Sequence, residues 1–219
     1  MALSTQLWPG LGRAGLLILT GASFMTAASA AAAQGTMGRS PTNQSQEHGL
    51  VPIVMETELG TIEAVLDSAR APVTVTNFLR YVDAGLFDDA QFFRSVRMDN
   101  QPHDSVKIEV IQAALSGENA RRGFPPIPLE RTSVTGIHHL DGTLSMARAG
   151  PDTGTSSFSI IINDQPELDY GGGRNPDGQG FAAFGRVTDG MDLVRRIQAR
   201  PVDEQRLRPP IRILRIVRK

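Results

Sequence analysis

An all-β-dominated fold, a closed barrel or sandwich carrying two helices, is predicted by three observations. Short runs of alternating apolar and polar residues recur along the chain, turn-rich segments separate them, and strands and helices nowhere alternate in the βαβ manner of a doubly wound sheet. At 219 residues and 40 % hydrophobic content the chain can build one domain with a sizeable core. It shows no internal repeat of fixed period.

At the N-terminus Arg13 precedes AGLLILTGASFMTAASAAAAQ, a leucine-rich run followed by small residues with several A-x-A sites. This is the pattern of a secretory signal, so residues 1–33 are expected to be cleaved near Ala30 to Ala33 and the mature protein to be periplasmic or secreted. Left uncleaved, Ala14 to Ala33 would be an N-terminal membrane anchor; otherwise no membrane association is expected. Residues 34–50, rich in Ser, Gly, Gln and Asn, read as a flexible linker, and residues 51–219 as the folded domain. With no cysteine, an exported fold has no disulfides to staple it and must stand on its core as a monomer.

From Val51 onward, PIVMETELGTIEAVL alternates on both sides of Leu59-Gly60-Thr61, the signature of a hairpin turning at Gly60. In APVTVTNFLRYVDAG the residues Val75, Phe78, Leu79 and Val82 fall at helical spacing, with Pro72 near the start and Gly85 just past the end. Its valines and threonines lower intrinsic helicity, so packing on a sheet must hold this helix. Short strands follow at QFFRSVR, VKIEVIQAAL, GTLSMAR, SSFSIIIN and GFAAFGRV. A second helix is predicted at DGMDLVRRIQAR from Met191, Leu193, Val194 and Ile197, and a last strand at PIRILRIVR.

The formal net charge of −1 provides no basic field for a phosphate backbone, so nucleic acid is not an expected partner. A Ser-x-x-Lys hydrolase fails at SMAR, because Arg148 stands where an amine able to lose its proton is required. His48, His103, His138 and His139 lack metal-ligand spacing, so they read as structural, and no metal or cofactor is expected. GGGRNPDGQG, Gly171 to Gly180, lacks both a P-loop ending and the acidic spacing of a calcium loop, and reads as a plain surface loop.

Arg94 remains, a lone cation in the alternating strand QFFRSVR. By itself it would be a solvated charge on the outer face. The succession GTIEAVL, APVTVTNFLRYVDAG, QFFRSV, VIQAA, GTLSMARAGPDTGTSSFSIII, LD and FAAFGRVTDGMDLV, however, resembles the cyclophilin-type peptidyl-prolyl cis-trans isomerases over nearly all of Pro52 to Val217. The resemblance implies a closed eight-stranded antiparallel barrel capped by two α-helices, its active site on an outer face, acting on proline-containing polypeptides. It makes Arg94 the catalytic arginine, Gln112 a catalytic glutamine that accompanies it, and Phe92 a substrate-binding residue. Ala147, Arg148 and Ala149 stand at its peptide-binding edge, and Val110, Ser157, Ser159, Leu168 and Phe181 at further substrate positions.

The chain departs from the family pattern in several places. Glu109 and Val110 replace Phe-Met, Ser157 and Ser159 replace Gln and a second Phe, Glu167 stands near a tryptophan position and Phe181 at a histidine. The connection from Arg94 to Gln112 is also longer than the resemblance implies. Reduced turnover is therefore expected, and cyclosporin binding of the family type is not. Glu109 is expected to modulate Arg94 by competing for its donors. A non-catalytic module holding proline segments on the same barrel is the alternative function.

Overall fold

The structure, a computed structural model, describes residues 49–219; the expected signal over residues 1–33, and the linker as far as residue 48, lie outside the described residues. Strands β1 (Leu50–Thr57) and β2 (Gly60–Asp67) pair antiparallel with Thr57 opposite Gly60, so Glu58 and Leu59 form a two-residue turn. Gly60 closes it at φ +135°, a conformation that other residues rarely adopt.

Helix α1 (Pro72–Asp83) follows, with proline in its first turn and the predicted stripe Val75, Phe78, Leu79 and Val82 buried. Its own N-cap residue, Ala71, supplies no side-chain cap. The carboxylate of Glu130 takes that place, accepting from the amides of Val73 and Thr74 at 3.0 and 2.7 Å, where an anion meets the positive end of the helix dipole.

The chain continues through β3 (Gln91–Val96), β4 (Val110–Ala114), the single turn α2 (Thr132–Thr135), β5 (Thr143–Met146), β6 (Phe158–Ile161), β7 (Ala182–Asp189), α3 (Met191–Gln198), β8 (Val202–Asp203) and β9 (Arg206–Arg218). Of these, α2 and β8 were not predicted: α2 has four residues and β8 two, too few for any periodic signal. Pairing with β8 (Asp203 opposite Arg206, Val202 opposite Leu207) starts β9 ahead of the expected PIRILRIVR. The strand expected over VKIEVIQAAL forms only from Val110.

The sheet runs β1-β2-β7-β5-β6-β4-β3-β9, and β9 pairs back onto β1, closing eight antiparallel strands into a barrel with β8 appended to β9. At the Asp67 end of β2 the chain turns into α1. At its Gly60 end it meets α3, where Leu193 approaches Gly60. The two longer helices thus lie at opposite ends of one strand. Gly190, at the start of α3, has φ +91°, and a Cβ there would lie 2.7 Å from the Thr61 carbonyl.

Inside the barrel Phe78, Phe87, Phe158 and Phe184 form an aromatic cluster, Phe78 lying 5.0 to 5.3 Å from each of the other three ring centroids. A second, smaller apolar cluster of Val96, Ile108, Val110, Ile161 and Leu168, with Phe181 packed against it, is separate from that interior. Alternation explains the split: Ile111 and Ala113 of β4 point into the barrel, so Val110 and Gln112 point out.

Candidate active site

A β-bulge places Arg94. Phe92 pairs with Ala113 and Arg94 with Gln112, so two residues of β3 are set against one of β4 with Phe93 as the extra residue. Without the bulge, Phe92 and Arg94 would share a face. With it, Phe92 is fully buried among the interior rings, while Arg94 emerges on the outer wall. The expected placement of Phe92 at the substrate site is therefore corrected: it belongs to the core.

Arg94 heads a ladder row across the outer wall, pairing with Gln112, which pairs with Ser159, which pairs with Ser145. Its guanidinium is held by neutral oxygens. Nε and Nη2 donate to Oε1 of Gln205 at 2.9 and 2.5 Å, and Nη1 donates to Oε1 of Gln112 at 3.0 Å. Gln112 in turn donates to Ser157 Oγ at 3.1 Å, and that hydroxyl donates to the Ala113 carbonyl at 2.8 Å. Burial, and after it the neighbouring Arg174 guanidinium, pull the Arg94 pKa below its ordinary value, while Asp104 acts the other way.

Beside Arg94 lies a cleft of about 210 Å³ whose apolar floor is the outer cluster, Ile108, Val110, Ile161 and Leu168 with Phe181. Of the residues expected at the site, Arg94, Gln112, Val110, Ala147, Arg148, Ser159, Leu168 and Phe181 converge on this cleft. Ser157 stands behind Gln112, and Ala149 sits in a turn where its amide donates to Thr153 Oγ1 at 3.0 Å; neither lines the cleft.

The expected competition by Glu109 does not occur. Its carboxylate accepts from Asn163 Nδ2 at 2.7 Å and Gln198 Nε2 at 3.4 Å, and among the described residues the guanidinium of Arg94 bonds to Gln112 and Gln205. The reason is parity: the alternation that turns Ile108, Val110 and Gln112 onto the outer wall turns Glu109 away from it.

The segment Gly171 to Gly180 is not a plain surface loop. Arg174 and Asn175 from it line the cleft. Arg148 fastens it, donating to both carboxylate oxygens of Asp177 at 2.7 and 2.8 Å and to the Gly180 carbonyl at 2.7 Å, with its guanidinium 5.0 Å from the Phe181 ring centroid. Asp177 is held at a pKa of about 2 by those hydrogen bonds from Arg148.

Behind the cleft His139, fully buried, links Asp169 Oδ1 (2.6 Å from Nδ1) to Ser145 Oγ (2.8 Å from Nε2). His138 takes the other carboxylate oxygen at 2.7 Å. Burial raises the Asp169 pKa, but the hydrogen bonds from His139 and His138 outweigh it and leave the carboxyl below its ordinary range. Both histidines thus anchor the start of the loop that carries Arg174.

A family model describing the cyclophilin type peptidyl-prolyl cis-trans isomerases matches residues 52–218. This chain belongs to the cyclophilin family. Among relatives of this cyclophilin, peptidyl-prolyl cis-trans isomerase A of Dickeya dadantii is 32 % identical over 146 residues, 66 % of this chain and 70 % of that protein. Peptidyl-prolyl cis-trans isomerase cyp18 of Streptomyces antibioticus is 31 % identical over 147 residues, 67 % of this chain and 82 % of that protein. A crystal structure of a Cryptosporidium parvum cyclophilin type isomerase superposes with a TM-score of 0.62 at 20 % identity, covering 78 % of this chain and 98 % of that one, a likeness of fold.

Ile108, Ser145, Met146, Ile161, Arg174 and Asn175 of the cyclophilin cleft, and Gln205 behind Arg94, escaped the sequence reading. Ile108 was signalled by its period-two spacing to Val110. Gln205 carried no signal, because a turn 111 positions further on brings it to Arg94. Arg174 was hidden in a segment whose composition reads as a loop.

Proposed function

We propose that this cyclophilin isomerises Xaa-Pro bonds of exported polypeptides, with Arg94 as the catalytic residue. The observation that carries the reading is a guanidinium held on the barrel wall, without a carboxylate partner among the described residues, at the edge of an apolar cleft. Rotation about an Xaa-Pro bond must break amide resonance, over a barrier of roughly 18 to 20 kcal/mol. No bond is made or broken, so neither nucleophile nor metal is needed. In the twisted state the imide nitrogen is pyramidal and accepts a hydrogen bond; a fixed, permanently charged donor therefore stabilises that state more than the planar one.

A charge-assisted hydrogen bond contributes about 1.5 to 3 kcal/mol, whereas an acceleration of about 10⁵ needs about 7 kcal/mol. The apolar floor supplies the remainder by gripping proline and excluding water, and the Ala147 edge fixes the flanking peptide. Gln112 and Gln205 orient Arg94. Ser159, where an aromatic wall would strengthen the grip, lowers the rate. The exported substrate class follows from the signal pattern of residues 1–33, and N-terminal sequencing of the protein recovered outside the cytoplasm checks it.

The test is a protease-coupled assay on an Ala-Pro peptide, wild type against Arg94→Ala. The mutant is expected to lose about one to two orders of magnitude in kcat/KM, the loss of one charge-assisted hydrogen bond. Binding without turnover in both proteins identifies a holding module instead.

A further inference from the structure

Among the described residues three arginines and no carboxylate line the cleft. Arg148 is neutralised where it stands, its buried guanidinium paired through two hydrogen bonds with Asp177. Arg94 has amide oxygens for partners. Arg174, its side chain only 13 % exposed, meets one acid among the described residues, Asp104, at 3.2 Å, and Asp104 is 41 % exposed, where water weakens the pairing.

Arg174 is also positioned by construction. Its Nη1 donates to the Val106 carbonyl at 2.6 Å and to Gln101 Oε1 at 3.0 Å, both in the long connection between β3 and β4. Gln101 is itself buried and fixed by Ile108, donating to its carbonyl at 2.8 Å and accepting from its amide at 3.2 Å. Glu167 Oε2 accepts from the neighbouring Gly173 amide at 2.7 Å, and Glu167 does not line the cleft. All these bonds engage Nη1 alone, and among the described residues Nε and Nη2 of Arg174 make none. The long connection between β3 and β4 and the Gly171 to Gly180 loop therefore meet to fix a second cation beside Arg94, with donors to spare.

We propose that Arg174 is a specificity-determining residue, selecting proline segments that carry a carboxylate on the residue next to the proline. This rests on the isomerase reading of the same cleft. Among the described residues the lining holds Arg94 and Arg174 with no acid facing them, and Asp104, the acid that meets Arg174, lies exposed outside it, so the cleft carries an excess positive charge. An acidic side chain entering with the proline relieves that excess and gains the vacant N–H donors, so it is bound by a charge-assisted pair that a neutral or cationic neighbour cannot form.

The experiment compares four peptides with blocked termini: Ala-Ala-Pro-Ala, Ala-Glu-Pro-Ala, Ala-Ala-Pro-Glu and Ala-Lys-Pro-Ala. Affinity is read by titration and turnover by exchange NMR. Wild type is expected to prefer at least one Glu peptide over the neutral one by about tenfold in affinity and kcat/KM, and to disfavour the Lys peptide. The preference shrinks as ionic strength rises from about 0.05 to 0.5 M. Arg174→Gln brings the Glu-to-neutral ratio to about one, and Arg174→Lys, which keeps the charge, retains most of it. Equal use of neutral and Glu peptides by wild type, or a preference that survives Arg174→Gln, overturns the proposal. Should Arg174→Gln fail to fold, the wild-type salt series decides: a preference indifferent to salt overturns it. Charge-selective binding with no turnover of any peptide leaves the selectivity standing and refutes the isomerase reading; turnover with no charge preference does the reverse.

Discussion

Arg94 is the residue on which the chemistry turns, and what distinguishes it is the neutrality of its partners. A carboxylate would pin the guanidinium more tightly but would also quench the charge that the twisted peptide has to meet. The amide oxygens of Gln112 and Gln205 orient it at lower electrostatic cost, and Gln205 is itself fixed, donating to the Asn100 carbonyl at 3.1 Å. Gln205→Leu is therefore expected to lower kcat by about five- to thirtyfold, the worth of one to two ordinary hydrogen bonds, with a smaller change in KM and in thermal stability. A KM effect as large as the kcat effect would mean that Gln205 shapes the cleft and does not position Arg94. Arg94 itself was legible through the succession of segments that resembles the family, since the alternating strand alone reads it as a solvated charge. Which way its neighbour Phe92 points was not, since alternation assumes a regular ladder and the bulge at Phe93 breaks it.

At the scale of elements, what was legible and what was not separates by length and by range. The hairpin at Gly60, the stripe of α1 and the turn of α3 were readable because each repeats a local period. The Gly171 to Gly180 loop has no period, and its order comes from distant side chains: Arg148 on Asp177 and Gly180, and Arg131 on Gln179 Oε1 at 2.6 Å. This clamp has a pH limit whose sign follows from Asp177. Its pKa in the folded protein is lowered from about 3.8 to about 2, so the clamp contributes fully above pH about 4 and is lost as pH falls through about 2. NMR titration is expected to give a midpoint near 2 for Asp177, returning to the ordinary carboxylate range in Arg148→Met, with the Phe181 and Asn175 amides shifting along the same curve. A midpoint near 4 in the wild type would show that the loop is held by something other than this pair.

For the whole molecule, a closed barrel makes its wall one residue thick, so the core and the cleft are two faces of the same strands. On β6, Phe158 packs inward against Phe78 and Phe87 at 5.3 and 5.8 Å, while the next residue, Ser159, faces the cleft beside Gln112. On β4 the same holds for Ala113 and Gln112. Interiors packed to crystal-like density transmit a change in volume to their surroundings, so the core determines where the outward row stands. Phe158→Ala is expected to cost about 3 to 5 kcal/mol of stability, measured by urea denaturation, since the cavity opens within the aromatic cluster and the strand can collapse only partly. The same variant, studied where it is still folded, is expected to move the side-chain resonances of Gln112 and Arg94, although both line the cleft on the other face of the wall. Leu214→Ala on the exposed face of β9 provides the comparison, with a change within about 0.5 kcal/mol and no effect on those resonances. If Phe158→Ala lost stability while the Arg94 and Gln112 resonances stayed fixed, the outward row would owe its position to its own hydrogen bonds through Gln205 and Ser157, and the barrel interior would set stability alone.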